Sequence, residues 1–323
     1  MATLKDVKAK INGVKQTQKI TRAMNMVAAS RLRGAQNKME AFKPYAGKFR
    51  EVLGSLAARA GDNTTNPLFM QRENVKNVHI ILFTSDRGLC GGFNSNLLAE
   101  TVKLMRGVKE KHADVQFSFT CFGRKGYSWC VKNGFNVVER HIGVVGAKFD
   151  FATAVKAGSD AIKGFLGRLE AEGALQYDEV FLVYGSFIRM SLQQPVAQKI
   201  LPVDITEAMR QETAAEEGEA VETVEHGADD YNRETYLPEH LCEPSEKELL
   251  TVMLPRNIYV QIYNALLETS ASEHAARMFA MENATKACKD IISNLQLSYN
   301  KARQAAITSE LIDIVGGAGA LQG

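Results

Sequence analysis

Long apolar runs, paired cysteines and catalytic signatures are all missing from this 323-residue chain. A membrane-spanning helix needs about 18 or more consecutive apolar residues, and no such run occurs, so no span is expected. Cys90, Cys121, Cys130, Cys242 and Cys288 form no CxxC pair and no metal-ligand spacing. An odd number of scattered thiols fits a reducing compartment and excludes a disulfide framework. The opening MATLKDVKAKINGVKQ has no apolar signal core, so the expectation is a protein that stays inside the cell. That segment is basic and amphipathic like a transit segment, but its pattern continues unbroken to Ala35 and Phe42 and reads as mature structure. No carboxylate pair and no His-x-x-x-His spacing appears.

What is present is a soluble composition, 45% hydrophobic and 24% charged, with charge unevenly placed. Residues 1–50 hold twelve Lys or Arg against Asp6 and Glu40, a net of +10. Residues 204–248 hold fifteen acidic groups against Arg210, Arg233 and Lys247, a net of −12. A basic end is compatible with nucleic acid, with a solvated helix face or with an acidic protein partner. Phe42, Tyr45 and Phe49 are the only aromatics there, too few for a base-stacking platform, so no nucleic-acid partner is expected.

Two stretches carry helical periodicity far beyond globular length. From about residue 255 to 320 there is no proline after Pro255 and no glycine before Gly316. Met281, Ala284, Cys288, Ile291, Leu295, Ser298, Ala302, Ala305, Ser309 and Ile312 alternate by three and four, the seam of a left-handed coiled coil. Over residues 3–58, the positions Leu4, Val7, Ile11, Val14, Gln18, Thr21, Asn25, Ala28, Leu32, Ala35, Met39 and Phe42 keep the same rhythm. Each seam is the natural mate of the other, with Gln18, Thr21 and Asn25 as register-fixing polar groups. Met24, Met26 and Val27 leave the stripe and should face outward, either toward a globular body or inside another protein.

Between the helices the pattern changes to strands alternating with helices. Strands are expected at 77–85, 115–123, 136–140 and 178–187, with 198–204 closing the run, and helices after Ser95, after Gly126 and near 150–170. The fold class is therefore α/β, a long antiparallel coiled coil of the N- and C-terminal helices with an inserted small, Rossmann-like α/β domain. The expected parts are an N-terminal coiled-coil helix (1–60), an α/β domain (75–205), an acidic mobile loop (206–245) and a C-terminal coiled-coil helix (246–323). Ser245 reads as the N-cap of the last helix.

Several residues in the α/β part have chemical and structural readings side by side. SDRGLCGGFN (85–94) follows a strand and precedes a helix, where phosphate sites form. It lacks both the Lys-Ser/Thr of a P-loop and the GxGxxG spacing, and tight strand-to-helix turns need glycine anyway. Cys90 has no recognisable His companion for nucleophilic chemistry. His79 and His112 are isolated, and Asp86 with Arg87 reads as a cap and an ion pair or as a partner contact. Cys242 has no second thiol nearby, so thiol control is not expected.

Four stretches in order, ITRAMNMVAASRLRGAQ (20–36), SDRGLCGGFN (85–94), SEHAARMFAMENAT (272–285) and YNKARQAAITSELIDIVGGAGAL (299–321), resemble the gamma-subunit family of F-type ATP synthases. The last block carries Ile307-Thr308-x-Glu310, Asp313 and Gly317-Ala318, similar to the family's C-terminal signature. The resemblance implies a central rotor shaft inside a hexamer of alternating alpha and beta subunits (3:3:1), with a foot on a membrane ring (the c-ring) beside an epsilon subunit. It also implies a peripheral location on the cytoplasmic side of the bacterial inner membrane and no homo-oligomer. No cofactor, metal or catalytic residue is implied on this chain, because Mg-ATP and Mg-ADP bind to alpha and beta. By similarity, Arg303 and Gln304 contact a beta loop at some rotor angles, together with Thr308 and Glu310. Met24 faces an acidic beta lever, with Arg22, Arg31 and Arg33 as a basic shaft face. The apolar end Leu311–Leu321 is implied to be a bearing surface. The acidic stretch 205–235 looks longer than in simple bacterial members and lacks the cysteine pair of the chloroplast regulatory insertion. The alternative reading is a nucleotide-dependent α/β enzyme that its long helices merely oligomerise.

Overall fold

In the computed structural model, residues 4–60, 66–72, 74–112, 114–146, 149–167, 176–203 and 245–321 are described. The expected acidic loop, with Cys242, lies outside these residues except for Ser245. Helix α1 spans Leu4–Ala60 and helix α5 spans Glu246–Leu321, 76 residues. At 1.5 Å per residue α5 is roughly 114 Å long. Ser245 caps it, its Oγ accepting from Glu248 N at 3.3 Å. Both helices continue through a proline, Pro44 in α1 and Pro255 in α5. A mid-helix proline removes a hydrogen bond and costs about 3 kcal/mol. Here the residues just beyond each proline, Ala46 and Ile258, are buried, so packing holds both helices together across the break.

The two helices pair antiparallel along the seam expected from α1. Val7, Ile11, Thr21, Ala28, Leu32 and Ala35 are buried, and the same rhythm extends to Ala46, Leu53 and Leu56. Leu32 and Ala35 pack on Ala271 and Ala275, and Phe42 meets Tyr263 edge-on at 4.8 Å. Two polar contacts fix the register. The hydroxyls of Thr21 and Thr285 lie 2.8 Å apart, and Asn25 Nδ2 donates to Met278 O at 2.8 Å.

On α5 the expected seam needs a correction. Met281 and Cys288 are buried and Leu295 and Ala302 half-buried, but the intervening positions are Thr285, Ile292, Tyr299 and Ala306. Ile291, Ser298, Ala305, Ser309 and Ile312 are exposed. A four-then-three and a three-then-four alternation both repeat every seven residues, so sequence spacing alone does not separate them. Thr285 settles the phase by meeting Thr21.

The α/β part is a five-stranded sheet in the order β3-β2-β1-β4-β5. Its strands are β1 (Asn77–Phe83), β2 (Gln116–Phe122), β3 (Asn136–His141), β4 (Glu179–Arg189) and β5 (Leu192–Leu201). The first four are mutually parallel, and β5 is an antiparallel edge joined to β4 by a hairpin. The segment expected only to close the run is thus a full ten-residue strand. Helices α2 (Phe93–Lys111), α3 (Arg124–Lys132) and α4 (Phe151–Phe165) complete the domain.

One sheet face, with Val78, Ile80, Leu82 and Phe119, packs on α2 and α3. The opposite face, with Ile81, Phe83, Phe122 and Leu182, packs on α4 and on Ile258, Ile262 and Leu266 of α5. Helix α5 is therefore a layer of the domain in its first half and a shaft in its second. Its contact with α4 is very close, since a Cβ on Gly158 would sit 2.5 Å from the Tyr259 ring.

His79 is isolated in sequence but not in space. Its ring is buried in the sheet, with Nδ1 2.8 Å from Ser118 Oγ and Nε2 3.0 Å from Thr120 Oγ1, stacked on Tyr177. Burial pushes its pKa down to about 3. The unfolded chain therefore takes up a proton near pH 6.5 that the folded chain refuses until about pH 3, and stability falls as pH drops through that window. The slope from this one group is at most about 1.4 kcal/mol per pH unit. Urea unfolding of the full chain at pH 7 and pH 5 should show a smaller pH-dependent loss for His79→Gln than for wild type, and equal losses would remove His79 as a source.

Candidate functional site

Open parallel sheets take ligands in the crevice at the carboxyl ends of the strands, where the strand order reverses. Here that point lies between β1 and β4, beside the 85–94 loop. The crevice is occupied by the chain itself. Ser272 Oγ of α5 donates to Gly185 O at 3.0 Å, and a Cβ on Gly91 would touch Ala280. The remaining cavity of about 190 Å³ is walled on one side by Ala276, Phe279, Ala280 and Asn283 of α5. Cys90 is buried and accepts from Asn94 Nδ2 at 3.1 Å, on the sheet face opposite to His79. The two therefore cannot work as a nucleophile and base.

Asp86 acts as a cap, but for neighbouring loops. Its Oδ1 accepts from Arg124 N at 3.0 Å, at the start of α3, and its Oδ2 accepts from Gly143 N at 2.9 Å. Gly143 has φ +84, a conformation that costs glycine little. Arg87 is exposed, and its backbone oxygen accepts from Ser85 Oγ and Arg277 Nη2.

Where the shaft leaves the foot, a groove of about 1070 Å³ separates the coil from these loops. Met24 and Val27 of α1 form part of its apolar wall, with Leu89, Ile142 and Phe149 on the foot side. Leu89 is 63% exposed and has φ +63, so its side chain is presented rather than packed. Five cations, Arg31, Lys38, Arg87, Arg124 and Arg277, line the groove against Asp86 and Glu273. That imbalance favours an anionic occupant. Met26 and Val27 are exposed, and Met24 is half-buried. Arg22 and Arg33 are exposed on α1 outside the groove.

The other expected contact residues lie far from this groove. Keeping the Thr21–Thr285 register brings Leu4, the first described residue of α1, opposite about Ala302. Arg303, Gln304, Thr308 and Glu310 therefore stand at or past the end of the described coil, all exposed, with Thr308 Oγ1 donating to Gln304 O at 2.9 Å. Leu311, Ile312, Ile314 and Val315 follow, each more than half exposed. From Arg277 to Gln304 the separation along α5 is roughly 40 Å. The two groups form two separate patches.

The sequence reading did not single out Glu273, His274 and Arg277. Glu273 is 2% exposed and bonded through Oε1 to Arg277 Nη2 at 2.7 Å, while its Oε2 and His274 Nδ1 have no hydrogen-bond partner among the described residues. Burial raises the Glu273 pKa, with Arg277 opposing the shift, and burial followed by Arg277 and Arg31 pushes His274 down to about 4. The available signal was a Glu and an Arg four apart, embedded among the small residues Ala271, Ala275 and Ala276. Among the described residues no group of three or more His, Cys, Asp or Glu is placed to hold a metal ion, and no helix is long and apolar enough to cross a membrane.

Comparison with known proteins agrees with this geometry. A family profile described as ATP synthase matches residues 3–321. The ATP synthase gamma chain of Desulfosudis oleivorans is 53% identical over 324 residues, covering all of both chains. That of Desulforapulum autotrophicum is 52% identical, covering 99% of this chain and all of the relative. Among solved structures, a chain of the Euglena gracilis mitochondrial ATP synthase in rotational state 3 superposes with a TM-score of 0.61 at 18% identity, covering 98% of this chain and 94% of that one. A central-stalk chain of the Tetrahymena thermophila mitochondrial ATP synthase gives 0.53 at 24%, covering 82% and 99%. These structural likenesses establish the shared fold.

Removing one partner of a buried ion pair leaves an uncompensated charge, a cost of roughly 3–5 kcal/mol, whereas removing both costs much less. Arg277→Met should therefore destabilise the full chain more than the double change Arg277→Met with Glu273→Met. Chemical denaturation of both variants measures this, and a double variant weaker than the single would contradict it.

Proposed function

Because this chain belongs to the ATP synthase gamma chain family, we propose that it is the central-stalk rotor of an F-type ATP synthase, passing torque between an ion-driven membrane ring and a hexamer of three alpha and three beta subunits. In the direction of synthesis the turning shaft forces each beta subunit in turn through its binding states, and hydrolysis turns it backward. The observation that carries this reading is the family match along residues 3–321 of a chain built as one 76-residue helix, paired with α1 and running on past it. A long two-helix coil resists twisting, as a torque shaft must.

In this reading the sheet and α2–α4 form the foot, set on the ring beside an epsilon subunit. The chain is peripheral to the bacterial inner membrane on its cytoplasmic side. It holds no catalytic residue, and nucleotide with magnesium sits on alpha and beta. The filled crevice between β1 and β4 supports this, because the place where an α/β enzyme of this topology would take its nucleotide is occupied by α5. The α5 seam is also met within the same chain, so the structure supplies no need for homo-oligomerisation.

The two exposed patches are the rotor–stator contacts. Met24 lies in the cationic groove, with Arg31 inside it and Arg22 and Arg33 nearby on α1, a surface suited to an acidic beta lever. Arg303 and Gln304, with Thr308 and Glu310, meet a beta loop at some rotor angles, and the apolar end that follows turns as a bearing. Intact-mass measurement of the gently solubilised native complex tests the assignment. One copy of this chain with three alpha and three beta subunits and Mg-ATPase activity is expected, and a free chain or homodimer would overturn it. Arg303→Ala or Gln304→Ala should slow steady-state ATPase more than it weakens assembly, because these contacts form at only some angles. Poor assembly with normal turnover in the assembled fraction would contradict that role.

A further inference from the structure

At the level where the shaft leaves the foot, directional contacts close into a ring. From α1, Arg31 Nη1 donates to Gly146 O at 3.3 Å. In the same segment Gly143 N donates to Asp86 Oδ2, while Asp86 Oδ1 takes Arg124 N. One and two residues beyond Asp86, the carbonyls of Arg87 and Gly88 accept from Arg277 Nη2 at 3.3 and 3.4 Å. Arg277 stands on α5, held in place by Glu273, and the α1–α5 seam completes the circuit. Asp86 alone joins three loops, those after β1, β2 and β3.

We propose that this ring is a collar that keys the shaft to the foot against twist, with Asp86 and Arg277 as its positioning residues. The inference deepens the rotor reading and rests on it. Apolar packing resists separation but slides more easily under a tangential load, whereas hydrogen bonds to charged groups are directional and stronger than those between neutral groups. The two helices differ in their need for such a key. Helix α5 is fixed to the sheet by its buried first half, by Ser272 to Gly185 and by Phe187 N donating to Glu268 Oε2 at 3.4 Å. Helix α1 contributes to the foot's core lower down, through Phe49, Val52, Leu53 and Leu56. Higher up, among the described residues, its polar link to the foot is Arg31 on Gly146, three residues beyond the Gly143 that Asp86 holds. Beside it are Lys38 over the Phe149 ring at 5.5 Å and the packing of Phe187 on the cluster that contains Leu32 and Ala35. Twist reaching the foot's sheet therefore passes to α5 and to the lower part of α1 through packing, and to α1 at the level of the collar through the Asp86 loops as well.

The test uses the assembled complex with the hexamer fixed to a surface, a probe on the foot and catalysis paused. The readout is the width of the probe's angular distribution. Asp86→Asn keeps the size of the side chain but replaces one acceptor with a donor that faces a backbone N–H. Arg277→Lys keeps the charge but loses the planar reach to two carbonyls. Each should widen the distribution, and the double variant should widen it no further than the larger single effect, because both break one circuit. Asp86→Asn should also lose gradient-driven synthesis while retaining hydrolysis by the hexamer. An unchanged width in assembled variants would overturn the collar and leave the rotor reading intact. Variants that fail to assemble where wild type succeeds would make these residues assembly determinants and overturn it too. Failure of the wild-type chain to join the hexamer would sink the rotor reading itself.

Discussion

Everything in this molecule depends on the antiparallel seam between α1 and α5. Neither helix is stable at such length on intrinsic propensity, since helices in water are held mainly by tertiary packing of one face. The seam supplies that packing mostly with small residues, Ala35 beside the larger Leu32 on one side and Ala271 and Ala275 on the other, which bring the backbones close. It is sparingly apolar toward the end distant from the foot, where Thr21 meets Thr285 and Asn25 reaches a backbone carbonyl. Those polar contacts choose one register among several that apolar residues alone would accept.

The course of α5 also narrows the ligand crevice of the α/β domain to a cavity of about 190 Å³. A sheet of this topology leaves a cleft where its strand order reverses. Here the same helix that forms the shaft lies across the foot and closes that cleft with Ser272, Ala276 and Ala280. One element serves as core layer, crevice wall and shaft, which keeps the rod continuous with the foot.

Much of this was legible in the sequence. The α1 stripe was read correctly from Leu4 to Phe42 because one buried face repeats without interruption. The alternating strands and helices of the α/β part were equally plain, since buried parallel strands such as NVHIILF leave little else to fit. The α5 seam was half right. Its heptad positions were found, but the phase of the intervening ones depends on which residue faces Thr21, a fact about the partner helix. His79 looked isolated because its partners, Ser118 and Thr120, come from a strand some forty residues away. The charged cluster at Glu273 was hidden for a similar reason. Besides Glu273, the groups that accept from Arg277 are backbone carbonyls, which no side-chain pattern announces, and the acidic stretch 206–245 falls outside the described residues apart from Ser245.

The pairing of Thr21 with Thr285 spans 264 positions of chain. During synthesis the first helix emerges with its apolar stripe complete and its mate still unmade, while the sheet between them folds from nearer neighbours. Long-range contacts of this kind form late, after the entropy of closing the intervening chain has been met. Until then a stripe with Val7, Ile11, Leu32 and Leu53 is exposed, the kind of surface on which nascent chains aggregate. The stiffness that suits the finished rod thus creates a vulnerable interval in its making, which ends only when the last quarter of the chain arrives.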